Sequence, residues 1–98
     1  MTMQKQQLQA ISQFFKTLGD ATRLQIVVEL TEKEQNVSTL CKALKSRQPT
    51  VSHHLSILRM GGVVETKRSG KEIFYSIQPK YGKALRAVLA DGVAMFKA

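Results

Sequence analysis

The stretch QPTVSHHLSILR, residues 48 to 59, carries the pattern from which the fold can be worked out. Val51, Leu55 and Leu58 are spaced so that they fall within about 40° of one line along an α-helix. Pro49 fits the first turn of such a helix, because the N–H group that proline lacks would have no partner there. Two consecutive glycines then end the helix. The stretch is predicted to be an amphipathic helix with a narrow buried stripe.

The outward face of this helix is built from short polar side chains instead of the usual lysines and glutamates. The residues on or beside that face are Gln48, Thr50, Ser52, His53 and Ser56. Such side chains let a helix come close to another polar surface. The adjacent His54 falls at the edge of the buried stripe, where it is predicted to be a packing residue bonded to backbone. The two histidines are therefore predicted to have different roles.

The elements on either side follow from the same kind of spacing. Helices are predicted over about residues 4–18, from a cap at Asp20 to about residue 30, from a cap at Ser38 to about residue 44, and over about residues 80–96. Alternating residues predict two strands, 63–68 and 72–77, joined by Ser69-Gly70-Lys71, whereas TEKEQN, residues 31–36, is a polar break. The expected fold is mainly α with a β-hairpin, in the order ααααββα, as one domain of residues 1–98.

The amount and distribution of charge indicate what kind of molecule the chain binds. The chain has 15 Lys and Arg against 7 Asp and Glu, for a net charge of +8. Residues 36–71 alone hold seven of the basic residues and only one acidic residue, Glu65. A basic segment of this kind attracts a polyanion, either nucleic acid or an anionic membrane surface. No apolar run is long enough to span a membrane and no secretion signal is present, so a cytoplasmic protein is expected.

A short third helix, a tight connection and the fourth helix make a helix-turn-helix, whose second helix lies in the DNA major groove. The polar residues of the outward face are then predicted to contact base edges, with His53 as a reader. Basic residues beside them are predicted to hold phosphates: Lys45, Arg47 and Arg59 around the helix, and Lys67, Arg68 and Lys71 on the hairpin, which acts as a wing. The predicted partner is double-stranded DNA.

Four stretches resemble the winged-helix repressors of the arsenic-repressor and metallothionein-repressor (ArsR/SmtB) family. They are LGDATRLQIVVEL (18–30), LCKAL (40–44), QPTVSHHLSILRMGGVV (48–64) and RSGKEIFYSI (68–77), about two thirds of the chain. The resemblance implies a homodimer built from the first and last helices. It also implies binding to an inverted-repeat operator and repression of transcription until an inducer releases the DNA. One departure is Arg47, where the family usually has a helix-capping serine, so the cap passes to Ser46 or goes unmade.

The residues that relatives use to bind metals are largely missing. Many relatives carry three cysteines at the start of the third helix, and the corresponding positions here are Asn36, Ser38 and Cys41. One thiolate cannot supply the three soft ligands that arsenite or lead-type ions need. Other relatives bind zinc through Asp and His on the last helix, which here has Asp91 and no histidine. No metal site and no cofactor is predicted, and the inducer is not identified.

Cys41 has two interpretations. As a residue on the inward side of a short helix it is predicted to be a small buried apolar group, although a redox-responsive thiol stays open. An enzyme using Cys41 with a histidine is not expected, because no acidic partner or glycine-rich loop accompanies them. The main alternative function is a winged-helix module that contacts protein or RNA without reading duplex DNA. An exposed apolar anchor on the outward face would favour that alternative, and Ile57 is the single candidate.

Overall fold

A computed structural model describes residues 2–97 and contains five helices and three strands within that range. The elements in chain order are α1 (Lys5–Leu18), α2 (Ala21–Glu32), β1 (Gln35–Asn36), α3 (Val37–Leu44), α4 (Gln48–Met60), β2 (Val64–Ser69), β3 (Glu72–Ile77) and α5 (Pro79–Met95). The strands form one antiparallel sheet in the order β1-β3-β2. The predicted order of helices and hairpin is confirmed, with one short strand added. The last helix begins at Pro79, which the sequence assigned only to the end of the preceding strand.

One hydrophobic core lies where α2, α3 and α4 meet the base of the hairpin. Its buried residues are Leu18, Ile26, Val27, Leu30, Leu40, Val51, Leu55, Leu58, Val63, Val64, Ile77 and Leu85. The three apolar residues that define the stripe of α4 are all 0% exposed. The apolar stripe predicted from the sequence is confirmed. Because the stripe is buried, the opposite face of α4 is the one available for other contacts.

The first turn of α2 is capped as predicted. Asp20 lies in extended conformation just before the helix, and its Oδ2 accepts a hydrogen bond from the backbone N–H of Arg23 at 3.0 Å. This bond holds the pKa of the Asp20 carboxyl below its ordinary value, because the N–H group stabilises the charged form. An ionised carboxylate therefore remains at the start of α2 throughout the neutral and mildly acidic range.

The third helix begins earlier than predicted. Its cap is Asn36, whose Oδ1 accepts from the backbone N–H of Thr39 at 2.8 Å, so Ser38 lies inside the helix and the expectation of a Ser38 cap was wrong. The helix ends at Lys45 in the left-handed conformation with φ of 53°. Glycine is the residue most often found in this conformation at the end of a helix, whereas this chain has a lysine there.

The segment expected to be a polar break has structure of its own. Helix α2 continues through Glu32, and the two residues that follow shortly after form β1 on the outer edge of β3. Gln35 faces Tyr75 and Asn36 faces Phe74 in this pairing. The Gln35 side chain is 4% exposed and its Nε2 donates to the carbonyl of Glu29 at 3.0 Å. The end of α2 is thereby tied to the sheet.

The hairpin turn is one residue shorter than the predicted connection. Ser69 pairs with Glu72 and belongs to β2, so that Gly70 and Lys71 alone make the turn. Gly70 has a φ of 63° at the first of the two turn positions. Two-residue hairpin turns of this kind need glycine at that position, which explains why the chain has one there.

Candidate nucleic-acid interface

Helix α4 has one face in the core and the other in solvent. Gln48, Thr50, His53 and Ser56 are exposed, and Ser52 is half-buried at the margin of the face. Together they form a polar face on the side away from the fully buried stripe. The structure thus places the five predicted base-reading residues on one accessible surface. Their contact with bases stays a prediction.

The start of α4 lacks a side-chain cap. Arg47 occupies the cap position and makes no capping bond through its side chain, although its carbonyl accepts from the N–H groups of Thr50 and Val51. The hydroxyl of Ser46 instead donates to the carbonyl of Leu44 at 3.4 Å. Of the two outcomes that the sequence left open, the cap goes unmade. The exposed Arg47 side chain therefore makes no capping hydrogen bond at the start of the helix.

The two histidines differ in exposure as predicted, but His54 has a different hydrogen-bond partner from the one expected. His53 is exposed, whereas the side chain of His54 is only 16% exposed. Their ring centroids lie 5.4 Å apart with an interplanar angle of 66°, so the rings point in different directions. The prediction that His54 bonds to backbone was wrong: its Nδ1 lies 3.1 Å from Nη1 of Arg23 in α2. The sequence did not single out Arg23.

The remaining predicted phosphate-binding residues all lie on the surface. Lys45, Arg47, Arg59, Lys67, Arg68 and Lys71 are exposed. On the hairpin, Lys67 pairs with Phe74 and Arg68 with Ile73 in the ladder, so the two basic side chains leave opposite faces of the strand. Lys71 is at the turn itself. A basic hairpin tip therefore extends beyond the core beside a helix with a polar face.

A hydrogen bond connects the base of the wing to α3. Asn36 Nδ2 donates to Glu72 Oε1 at 3.0 Å, while Oδ1 of the same side chain caps α3. One residue thus links the helix-turn-helix to the hairpin in addition to the β1–β3 pairing. Sequence reasoning missed this role for Asn36 and Glu72. The available signal was the preference of asparagine for helix caps, which favoured Asn36 as much as Ser38.

Cys41 is half-buried and packs against the core. Its position agrees with an apolar packing residue, and a redox role stays a hypothesis. Within residues 2–97, no group of three or more His, Cys, Asp and Glu residues is arranged to hold a metal ion. None of the helices in that range has the length and apolar character needed to cross a lipid bilayer.

The outward face of α4 ends at an apolar residue that the sequence interpretation overlooked. Ile57, considered a candidate anchor for a protein partner, is half-buried against the fold. Met60 is instead 87% exposed in the last turn of α4. A single methionine at the end of a polar face is much smaller than the apolar patches that mark protein-binding sites.

Comparison with known proteins matches this architecture to one family. Residues 20–66 match the family model described as bacterial regulatory protein, arsR family. The transcriptional repressor SmtB of Mycobacterium tuberculosis is 37% identical over 87 residues, which cover 89% of this chain and 62% of the relative. The chain thus spans about 62% of the length of the curated relatives that it matches first.

Solved structures share the whole fold. The transcriptional repressor BigR from Xylella fastidiosa superimposes with a TM-score of 0.79 at 33% identity, covering 96% of this chain and 93% of BigR. A homodimeric winged helix-turn-helix DNA-binding domain from Mycobacterium bovis superimposes with a TM-score of 0.80 at 28% identity, covering 87% and 80% of the two chains. The fold is therefore the winged helix-turn-helix, and the chain belongs to the arsR family of bacterial regulatory proteins.

Proposed function

We propose that the chain is a transcriptional repressor that binds an inverted-repeat operator as a homodimer. The observation that carries the proposal is the division of α4, whose apolar stripe is fully buried while Gln48, Thr50, His53 and Ser56 are exposed beside a basic hairpin. A helix of this kind suits the major groove, where short polar side chains meet base edges. The wing then adds phosphate contacts that hold the helix in register.

The dimer is supported by apolar residues that the single chain leaves uncovered. Phe14 packs its ring on Tyr81 of α5 at 4.7 Å between centroids, whereas the neighbouring Phe15 is 60% exposed. The large apolar residues exposed on α1 and α5 include Leu8, Ile11, Phe15, Val88, Val93 and Met95. A set of this size on two helices is typical of a subunit interface. It agrees with the homodimeric state of the Mycobacterium bovis relative.

A symmetric dimer also accounts for the kind of DNA site proposed. Two copies of α4 related by a two-fold axis contact two half-sites about 34 Å apart, so the operator has the same two-fold symmetry as the protein. We place the protein in the cytoplasm, with the chromosome, and propose no enzymatic activity. We propose that release from DNA does not use a thiolate cluster at the start of α3, because Cys41 is the one cysteine of the chain and Asn36 and Ser38 occupy the other two positions.

The test is a gel shift with duplex DNA from the promoter of the protein's own gene, followed by footprinting and by mutation of one half-site. We expect a protected inverted repeat and affinity that falls steeply with salt, since several phosphate contacts release counterions. Equal binding to random duplex, or preference for RNA over the promoter duplex, would support the alternative of a protein- or RNA-interaction module.

Removal of the two strand charges on the wing should weaken binding to all DNA alike. For Lys67→Ala combined with Arg68→Ala, we expect affinity to fall about tenfold to a hundredfold for operator and random duplex, and the log–log salt slope to decrease by about 4, because the dimer loses two phosphate contacts in each subunit. Lys5→Ala with Lys33→Ala removes the same charge from exposed positions outside α4 and the hairpin and should change little. A loss confined to the operator would mean that the wing reads sequence.

The exposed histidine of α4 should contribute to sequence discrimination. For His53→Ala, we expect the ratio of operator to random-duplex affinity to fall by about 5- to 150-fold for each half-site, because one base-edge contact is worth about 1–3 kcal/mol. The dimer should stay intact in analytical ultracentrifugation. Met60→Ala, an exposed substitution at the far end of the same helix, is the matched control and should keep the ratio. An unchanged ratio for His53→Ala would remove His53 from the readers.

A further inference from the structure

His54 makes a contact that specifies its protonation state. Its Nδ1 lies 3.1 Å from Nη1 of Arg23, in a hydrogen bond between α4 and α2. A guanidinium group can only donate hydrogen bonds, so Nδ1 of His54 must accept and carries no proton. The ring is therefore the neutral tautomer with its proton on Nε2. This bond can exist only while the imidazole is uncharged.

Arg23 is the centre of a small network at the corner between α1 and α2. Its Nε donates to the carbonyl of Thr17 near the end of α1 at 2.6 Å, and its backbone N–H donates to Asp20. Asp20 Oδ2 is in turn 3.8 Å from Nδ1 of His54. Three helices thus meet through one arginine: the α1 helix of the proposed dimer interface, the start of α2, and α4.

We propose that His54 is a positioning residue for DNA binding, whose neutral form holds α4 in its DNA-binding position through the bond to Arg23, so that operator affinity falls as His54 becomes protonated. The inference rests on the proposed function and concerns how the DNA-binding helix is oriented within the dimer. His54 contacts no DNA in this scheme and acts through Arg23.

Protonation exchanges one partner for another. A proton on Nδ1 removes the acceptor that Arg23 uses and places two positive groups side by side, which is unfavourable. The same proton creates a donor toward the Asp20 carboxylate, which is already within 3.8 Å. The charged or titratable groups that face His54 are Asp20 and Arg23 from α2 and His53 from α4. Asp20 stays ionised, because its pKa lies below the ordinary value.

This exchange of hydrogen-bond partners affects DNA binding because the two α4 helices of a dimer must enter two half-sites at once. A shift of α4 relative to α1 changes the distance and angle between the recognition helices of the dimer, so it weakens binding without unfolding either subunit. The direction follows from the neutral state being the one that binds. Affinity is full above the pH range in which histidines titrate, about 5 to 8, and is lost as the pH falls through it.

The experiment uses His53→Gln as the background, because His54 is then the only histidine of the chain's two. Affinity for the promoter duplex is measured from pH 8.0 to pH 5.5 at constant ionic strength, and every variant is compared within this background. We expect affinity to fall about tenfold across the range, a size typical of coupling between sites. Circular dichroism at both ends of the range establishes that the fold is unchanged.

A conservative variant separates positioning from general stability. In His54→Asn the amide oxygen takes the place of Nδ1 as acceptor for Arg23 and does not titrate, so binding should match that of the background at pH 8.0 and stay flat to pH 5.5. His54→Leu removes the acceptor and should bind weakly at every pH. A fall with pH in His54→Asn as large as that of the background would overturn the proposal.

The protonation state can be read without DNA. Long-range proton–nitrogen NMR spectra of the His53→Gln chain should show Nδ1 unprotonated and Nε2 protonated at pH 8.0, and a proton on Nδ1 there would overturn the proposal directly. Two failures are then distinguishable. If the unchanged chain binds no promoter duplex at pH 8.0, the proposed repressor function fails, whereas binding with a flat pH profile in the background overturns only the role of His54.

Discussion

Phe15→Glu is expected to convert the dimer to a monomer and to lower operator affinity by about a thousandfold. The side chain is 60% exposed on α1, next to Phe14, which packs inward on α5. A carboxylate in an apolar subunit interface has no partner and is costly to bury. Because two linked DNA-binding helices gain about 10²- to 10⁴-fold over one, loss of the dimer removes most of the affinity even though each α4 is intact.

The control for this substitution is Gln6→Glu, which adds one negative charge to the opposite face of the same helix, because its separation of nine residues from Phe15 makes about two and a half turns. It should stay dimeric in sedimentation experiments and keep its operator affinity to within a few-fold. Circular dichroism of Phe15→Glu should show the helical content of the parent, because the core does not include this side chain. A variant that remains dimeric, or a monomer that binds the operator as tightly as the parent, would contradict the proposed interface.

Leu55→Ala is expected to have the largest effect on stability, a loss of about 2–5 kcal/mol in the free energy of unfolding. Leu55 is 0% exposed at the centre of the α4 stripe, so its truncation leaves a cavity lined by apolar side chains. A domain of this size has only about 5–15 kcal/mol in total. The variant is therefore expected to be partly unfolded well below the melting temperature of the parent.

Urea denaturation at one fixed protein concentration measures this effect, since the stability of a dimer depends on concentration. Met60→Ala removes a side chain of about the same size from the same helix but at a position 87% exposed, and should change stability by less than about 0.5 kcal/mol. Comparable effects for the two substitutions would mean that burial in α4 does not decide stability as the fold requires.

The different positions of the two histidines show how much of the structure can be predicted from the residue pattern of one helix. Angular position on a helix placed His53 outside and His54 at the core edge, and both placements are confirmed by their exposure. Position on a helix could not show which group His54 would meet. Its partner Arg23 comes from a different helix, and the distance between them depends on how α2 and α4 pack.

What the sequence determined by itself was local. The spacing of Val51, Leu55 and Leu58, the cap at Asp20 and the glycine of the hairpin turn each act within a few residues, so each can be recognised from the chain alone. The order of helices and hairpin followed from these signals, as did the polar face of α4 and the basic wing. The residues predicted to contact DNA come from the same local patterns.

The tertiary structure alone decided the contacts between distant segments. Strand β1 is two residues long and has no periodicity of its own, and it exists because β3 offers an unpaired edge beside it. Asparagine is a residue type that favours helix caps, so the sequence indicates only that role for Asn36. In the fold, the Asn36 side chain also donates a hydrogen bond to Glu72, which is 36 residues away along the chain. The Arg23–His54 bond is of the same kind. Such contacts depend on how packed elements orient side chains in space, which no spacing along one helix or strand specifies.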